Sequence, residues 1–259
     1  MPLNIVSWNV NGLRAAARRG FAEWLRQESP GIFCAQEVKA QRDQLPPEVV
    51  EPAGYHAYWN LGDRKGYSGV ALFTKEEPRR VLGSFGIKKL DAEGRVLLAE
   101  YPHFTLLNVY FPNGKSGQQR LDYKLAFYDD FLEFVDGLRG RGQKIVICGD
   151  VNTAHHEIDI ARPKQNEKLS GFLPIERAWM DRLEEHGYVD TFRQFNQAPG
   201  QYTYWDMKTR ARDRNIGWRI DYFYVSQDMM PWVKDSSIRA EVMGSDHCPI
   251  GIALDVPAQ

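Results

Sequence analysis

Cysteine is scarce in this chain, and the few present do not suit crosslinking. Cys34, Cys148 and Cys248 are three among 259 residues, an odd number, each in apolar sequence and none in a Cys-x-x-Cys pair. That argues against a disulfide framework or a thiolate zinc site, and for buried, reduced thiols in an intracellular, cytoplasmic protein. Long apolar runs are also missing, since none approaches the ~20 residues that span a bilayer. Met1-Pro2-Leu3-Asn4 enters a strand with no basic or apolar leader, so neither membrane insertion nor secretion is expected. Charge of one sign is absent as well. A formal net charge of −1 argues against a polycation that coats nucleic acid indiscriminately, and confines any DNA affinity to a local basic face. No Gly-x-Gly-x-x-Gly or P-loop sequence occurs, which argues against nucleotide-binding sheets. No repeat, low-complexity tract or linker divides the chain, so a single domain over 1–259 is expected, as a monomer.

What the chain has is a series of short β-branched or aromatic runs. They are Asn4 to Trp8, Gly31 to Ala35, Gly69 to Thr74, Val96 to Glu100, Thr105 to Tyr110, Lys144 to Cys148, Asp221 to Val225 and Ile250 to Leu254. Most are almost continuously apolar at strand length, which implies burial on both faces. Helical spacing appears between them. Gly20 to Glu28 puts Phe21, Trp24 and Leu25 on one face and stops before Pro30. Gln119 to Arg139 repeats Leu121, Leu125, Tyr128, Leu132 and Val135 as a core-packing face. A further helix begins near Pro174 and ends at Gly187. The helices are too few for strict βαβ alternation, which favours two packed mixed sheets covered by helices.

Six apolar runs meet polar, amide-bearing or acidic residues at one end. Ile5 to Trp8 leads to Asn9 and Asn11, Ile32 to Ala35 to Gln36 and Glu37, and Leu106 to Tyr110 to Asn113. Lys144 to Gly149 leads to Asp150 and Asn152, Trp218 to Ile220 to Asp221, and Asp246-His247 precedes the last strand. Carboxylates beside buried strands are costly unless they are paired or bound to a cation, so these ends are expected to assemble one polar site.

The residue types suit phosphodiester hydrolysis. That reaction needs a cation or donors on the non-bridging oxygens, a way to make hydroxide, and stabilisation of the departing oxygen. Magnesium favours one or two carboxylates with retained waters, so Glu37 fits a first ligand and Asp246 a second or water-mediated one. Asn9 fits either an oxygen donor or an orienting group, and Mn²⁺ is a possible substitute for Mg²⁺. Asp150 can act as general base, with Asn152 on the same side of the chain. A simple strand-to-loop cap would use Asp150 equally well. His247 beside Asp246, with Asp221 as a second acid able to fix its tautomer, can be either base or electrostatic clamp.

With these motifs assembled, the chain resembles the exonuclease III family of apurinic/apyrimidinic (AP) endonucleases, within the endonuclease/exonuclease/phosphatase superfamily. Seven segments carry the likeness: Ser7 to Arg14, Gln36 to Lys39, Gly66 to Val70, Tyr110 to Asn113, Gly149 to Asn152, Gly217 to Asp221 and Ser245 to His247. The resemblance implies an α/β fold, a four-layered α/β sandwich, and Mg²⁺-dependent cleavage 5′ to abasic sites with accompanying 3′–5′ exonuclease and 3′-end cleaning. It further implies Asn9, Glu37 and Asp246 near the metal, Asp150 and Asn152 activating the nucleophile, Asp221 orienting His247, and Tyr110 and Asn113 touching the phosphate or leaving oxygen. Asn11 stands where some relatives carry Asp. Asn166 resembles a residue near the flipped sugar, and Tyr204, Trp218 and Ile220 resemble a pocket wall that accepts a bare sugar.

The implied partner is double-stranded DNA with abasic sites or blocked 3′ ends, and protein partners are left open. Arg14, Arg18 and Arg19, with Arg64, Lys65 and Tyr67, resemble loops that grip the backbone without reading sequence. Tyr202, Tyr204 and Trp205 close to Lys208, Arg210, Arg212 and Arg214 look like an aromatic-basic surface loop. Some relatives wedge an Arg or Met into the duplex. The matching positions here are Ser116 and Lys208, beside Met207. Small Ser170-Gly171 leaves room near the expected pocket. The alternatives are an end-processing enzyme with little activity at internal abasic sites, a superfamily hydrolase of inositol phosphates or sphingolipids, and a catalytically idle DNA-binding module.

Overall fold

The computed structural model describes residues 2–257, apart from the side chains at 88 and 89. Met1, where the expected leaderless start begins, and 258–259, where the expected domain span ends, lie outside the described residues.

Two six-stranded mixed sheets face each other. The first has the order β11-β12-β1-β2-β4-β3. It is built from β1 (Leu3–Asn9), β2 (Ile32–Gln36), β3 (His56–Asn60), β4 (Val70–Thr74), β11 (Val233–Ile238) and β12 (Ile250–Leu254). The second has the order β5-β6-β7-β8-β10-β9. Its strands are β5 (Arg80–Leu82), β6 (Val96–Glu100), β7 (Thr105–Tyr110), β8 (Ile145–Asp150), β9 (Tyr188–Asp190) and β10 (Asp221–Ser226). In each sheet a single parallel pair lies at the centre, β1 with β2 and β7 with β8.

Three apolar layers hold the sandwich together and explain why the central strands are apolar on both faces. Between the sheets, Ile5, Cys34 and Leu72 of one meet Leu106, Val146 and Phe223 of the other. Behind the second sheet, Phe127, Phe131 and Val135 of the Gln118–Gly140 helix and Trp179 and Leu183 of the Pro174–Glu185 helix pack on Val109, Ile147 and Tyr222. Behind the first, Leu13 and Leu25 from the Leu13–Arg18 and Phe21–Glu28 helices cover Val6, Phe33 and Phe73. Truncating a buried Phe in such a layer costs about 3–5 kcal/mol. The result is the four-layered α/β sandwich expected from the sequence.

The eight apolar runs are all strands, and four further strands were not anticipated. β3, β5, β9 and β11 are the edges of the two sheets. Edge strands need less continuous apolar sequence, because one side faces solvent or loops. His56 and Arg80 are exposed, and β11 carries Lys234 and Asp235 outward.

Gln36 also departs from expectation. It does not join the polar rim but turns inward, donating to Asn108 Oδ1 at 2.7 Å and Ser7 Oγ at 3.0 Å. Asn108 in turn donates to the Ala71 carbonyl at 2.8 Å, so a buried polar rung bridges the sheets.

Candidate active site

Strand register gathers the acidic ends at one rim. Tyr110, Asp150 and Asp221 are direct neighbours across β7, β8 and β10, so their side chains share one face. Gly149, immediately before Asp150, has φ 133°, and a Cβ there would fall 1.9 Å from the Val109 carbonyl oxygen. Only glycine lets β8 approach β7 this closely before the chain leaves the sheet. Asn152 then takes a left-handed conformation, φ 57°, and its amide N–H donates to Asp150 Oδ1 at 2.8 Å.

Asn9 sits at the centre of the rim. Its Nδ2 donates to Glu37 Oε1 at 2.9 Å and Asp150 Oδ2 at 2.8 Å, joining a carboxylate from each sheet. Its Oδ1 accepts the Asn11 amide at 3.0 Å. Asn9 therefore orients the carboxylates and turns its oxygen toward the backbone. Asn11 Nδ2 reaches Asp246 Oδ1 at 2.9 Å, while Asn11 Oδ1 accepts from Lys39 Nζ at 2.7 Å. Lys39, not singled out in the sequence, also pairs with Glu37. Burial pushes the Glu37 carboxyl up, but Lys39 and Asn9 outweigh it and hold the group below its ordinary value.

His247 Nδ1 and Asp221 Oδ2 lie 2.8 Å apart, and His247 Nε2 is 3.9 Å from Asp150 Oδ2. Thr203 Oγ1 donates to the same Asp221 oxygen at 2.6 Å, which fixes the acid that fixes the histidine. Burial opposes a charge on His247, yet Asp221, Asp150 and Asp246 together raise its pKa to about 10. Burial and the carboxylates of Asp221 and Glu37 push Asp150 up to about 7, against the pull of His247. Burial and Glu37 hold the Tyr110 phenol well above its ordinary value. The arrangement therefore offers a carboxylate poised near neutrality beside an imidazolium, two groups suited to proton transfer and to stabilising developing negative charge.

The donor set fits a hard divalent cation. Glu37 and Asp150 offer carboxylate oxygens within 4.8 Å of each other and of the His247 ring, and Asp221 Oδ1 is buried with no hydrogen-bond partner among the described residues. Crowded carboxylates that raise one another's pKa are relieved by a cation. Asp246 stands one hydrogen bond further out, behind Asn11.

The other expected residues distribute around this centre. Asn113 Nδ2 donates to Asn152 Oδ1 at 3.0 Å. Tyr204, Trp218 and Ile220 do come together, with Ala154, Ile160 and Phe172, in a small apolar cluster beside His247. Lys115 Nζ lies 5.2 Å from the Trp218 ring centre and 5.7 Å from that of Tyr204. Asn166 spends its Nδ2 on the Ala161 and Arg162 carbonyls, each at 3.0 Å, which shapes its own loop. Arg14 and Arg18 are exposed, as is Arg19, which also holds the Gly244 carbonyl at 2.9 Å. Tyr67 accepts from Arg95 at 3.1 Å and Arg120 at 2.7 Å through its hydroxyl.

The aromatic-basic loop is only half as expected. Tyr202 and Trp205 are buried in a satellite core cluster, and Arg212 stacks on Trp205 while donating to the Ala240 and Val242 carbonyls at 2.7 Å each. Lys208 and Arg210 remain exposed, as does Met207.

Several supports of the rim had no signal in the sequence. Arg95 stacks 4.5 Å from the Tyr110 ring centre, and buried Lys124 donates to the Asn152 carbonyl at 2.8 Å and Glu176 Oε1 at 2.7 Å. Arg95 lies just before β6 and Lys124 inside the Gln118–Gly140 helix, and only packing reveals what they touch.

Carboxylates, amides and a charged histidine at the rim of a two-sheet sandwich define a hydrolase of the phosphoester-cleaving class. The chain belongs to the Endonuclease/Exonuclease/phosphatase family, whose sequence pattern matches residues 6–247, and within it to the exonuclease III type. It is 42% identical to an exodeoxyribonuclease of Bacillus subtilis (strain 168) over 98% of this chain and 100% of that protein. It is 41% identical to a DNA-(apurinic or apyrimidinic site) endonuclease of Dictyostelium discoideum, over 98% of this chain and 71% of that one. Among solved structures, a 3′ phosphatase, NExo, from Neisseria bound to product DNA hairpin superimposes with a TM-score of 0.90. That likeness is at 28% identity and covers 98% of this chain and 100% of the other. Among the described residues no helix is long and apolar enough to cross a membrane.

Proposed function

We propose that this chain is a single-domain, monomeric DNA-repair phosphodiesterase that hydrolyses the backbone 5′ to abasic sites and leaves a 3′-hydroxyl. It carries 3′–5′ exonuclease and 3′-phosphatase or phosphodiesterase activity at the same centre. The observation that carries this reading is the Glu37–Asp150–His247 cluster beside an apolar niche of Tyr204, Trp218, Ile220 and Phe172. A niche of that kind accepts a sugar without its base and excludes an intact nucleotide.

Glu37, with Asp150 and Asp246 near it, would hold Mg²⁺, for which Mn²⁺ can substitute. The bound ion supplies charge neutralisation at the phosphate. The chain's own groups do the rest. Asp150 Oδ2 takes the proton of the attacking water, a role supported by its place between Asn152 and His247. Asn152, tied to Asp150 and to Asn113, holds that water and a non-bridging oxygen in place. His247, kept cationic by Asp221, faces the phosphate and stabilises the charge that accumulates on it. Tyr110, protonated throughout, donates toward the departing oxygen. Of the two roles open to His247, the raised pKa supports the electrostatic one, and Asp150 is left as the base.

Arg14, Arg18, Arg19, Lys208 and Arg210 are exposed cations suited to backbone phosphates. Tyr67, held between Arg95 and Arg120, adds a hydroxyl to the same rim. Asn166 shapes the loop at the niche. Ser170 donates its hydroxyl to Glu176 at 2.8 Å, and the small Ser170-Gly171 pair supports internal abasic sites over blocked ends alone.

The deciding experiment compares a duplex with one internal abasic analogue, an intact duplex and a 3′-phosphate end, each with Mg²⁺ and with EDTA. Metal-dependent incision chiefly at the abasic site is expected, and Asp150→Ala abolishes it with DNA binding retained. Cleavage confined to the 3′ end would make this an end-processing enzyme.

A further inference from the structure

A second cluster of ligating side chains lies where the segment after Asp150 meets the Pro174–Glu185 helix. His155, His156 and Glu184 each present one ligand atom, all within 4.8 Å of one another. None of the three takes part in the rim described above.

His155 is 1% exposed, yet its Nδ1 makes no hydrogen bond among the described residues. Its other ring nitrogen, Nε2, lies 2.8 Å from Asp181 Oδ1. The carboxylate at Nε2 fixes the ring and the proton on that nitrogen, the second-sphere arrangement characteristic of metal-bound histidines. Nδ1 is directed at Glu184, whose Oε1 stands 3.4 Å away. An ion with nitrogen and oxygen ligands at about 2.0–2.2 Å in a tetrahedron sets those ligand atoms about 3.4 Å apart. The spacing is long for a hydrogen bond and right for two atoms that share a cation. The His156 ring stacks on that of His155 at 3.7 Å, and both His156 and Glu184 are exposed, so an ion can enter from solvent. Asp181 and Glu184 supply two negative charges beside the two imidazoles.

We propose that His155, His156 and Glu184 form an accessory site for a borderline transition-metal dication of the Zn²⁺ class, separate from the catalytic centre. Two imidazole nitrogens select Zn²⁺ over Mg²⁺, which suits carboxylate oxygens such as those of Glu37 and Asp150. The ion would clamp the segment after Asn152 to the helix. His155 already anchors that segment through its amide, which donates to the Tyr222 hydroxyl at 3.1 Å, and through its carbonyl, which accepts from Arg177 Nε at 2.7 Å. The consequence is protection of the catalytic turn against unfolding, with no part in the chemical step.

The test titrates Zn²⁺ into the full chain by calorimetry in a large excess of Mg²⁺, with Co²⁺ as an absorbing reporter of tetrahedral geometry. Glu37→Gln serves as the background that removes Zn²⁺ competition at the catalytic centre. One Zn²⁺ should bind in that background and raise the melting temperature. His156→Asn and Glu184→Gln, both at exposed positions, should each weaken it at least about tenfold, and Asp181→Asn about tenfold through the outer sphere. Incision of DNA with Mg²⁺ should be unchanged in His156→Asn and Glu184→Gln, so this result is read independently of the catalytic assignment. The proposal is overturned if the Glu37→Gln chain binds no Zn²⁺, or if His156→Asn and Glu184→Gln bind it as tightly as their parent.

Discussion

Lys124→Met probes how the catalytic turn is held from beneath. Lys124 and Glu176 are both 0% exposed and pair at 2.7 Å. The three donors of the ammonium are all used, on Glu176 Oε1, the Asn152 carbonyl and Thr153 Oγ1. Glu176 also accepts the Ser170 hydroxyl at 2.8 Å, the Gly171 amide at 2.6 Å and the Leu173 amide at 3.0 Å. One ion pair therefore ties together Asn152 at the rim and Gly171, whose backbone packs against Trp218. Burial pulls the Lys124 pKa down, and Glu176 and Asp150 only partly restore it.

Methionine at 124 fills a similar volume but strands the Glu176 carboxylate in the core, a loss of about 3–5 kcal/mol. Against a total of about 5–15 kcal/mol that is a large share, so urea denaturation reads it directly. Glu176→Gln keeps an acceptor for the Gly171 and Leu173 amides, and the double variant Lys124→Met/Glu176→Gln no longer buries an unpaired charge. The double variant should therefore recover about 1–3 kcal/mol relative to the sum of the single changes. Because Asn152 loses its tether, kcat should fall in Lys124→Met while KM changes little. A loss below about 1 kcal/mol in Lys124→Met, or strict additivity across the cycle, would refute the reasoning.

Asp221→Asn removes the main charge that raises His247, so the imidazole should deprotonate at a pH well below its present value of about 10, as followed by ring NMR. The alkaline limb of the rate profile should move the same way, with a rate loss of about 10²–10³; an unmoved limb would remove His247 from the electrostatic role. Asp159, held down to about 2 by Arg219 and Arg193 against its own burial, contributes stability present above its ordinary carboxylate value and lost as pH falls through about 2. That contribution is about 2 kcal/mol, so Asp159→Asn should flatten the acid limb of a stability-versus-pH curve. DNA affinity should fall with salt along a linear log–log slope, and Arg14→Ala or Lys208→Ala should each make that slope shallower by about 1. Equal slopes would take those residues off the backbone.

The legible part of the fold was its interior. The eight central strands are apolar on both faces because each is covered by the other sheet on one side and by helices or loops on the other, and that burial is written as unbroken hydrophobic runs. The four edge strands left no such mark, because β5 and β9 are three residues long and β3 and β11 expose part of their length. The polar strand ends were equally legible as candidates, since Glu37, Asp150, Asp221 and His247 interrupt apolar sequence at a cost. Gln36 shows the limit of that inference, because it follows an apolar run in the same way and serves the space between the sheets.

Sequence alone thus determined which residue types stand at the ends of which strands, and with them the chemistry of hydrolysis, because local hydrophobic pattern and side-chain identity are properties of neighbouring positions. Tertiary structure decided the pairings. Asn9 bridges Glu37 and Asp150 across 28 and 141 positions, Lys124 supports Asn152 from a helix, and His155 meets Glu184 from another. Hydrogen bonds and charges act over a few ångströms, and only the packed sandwich brings positions so distant along the chain within that reach.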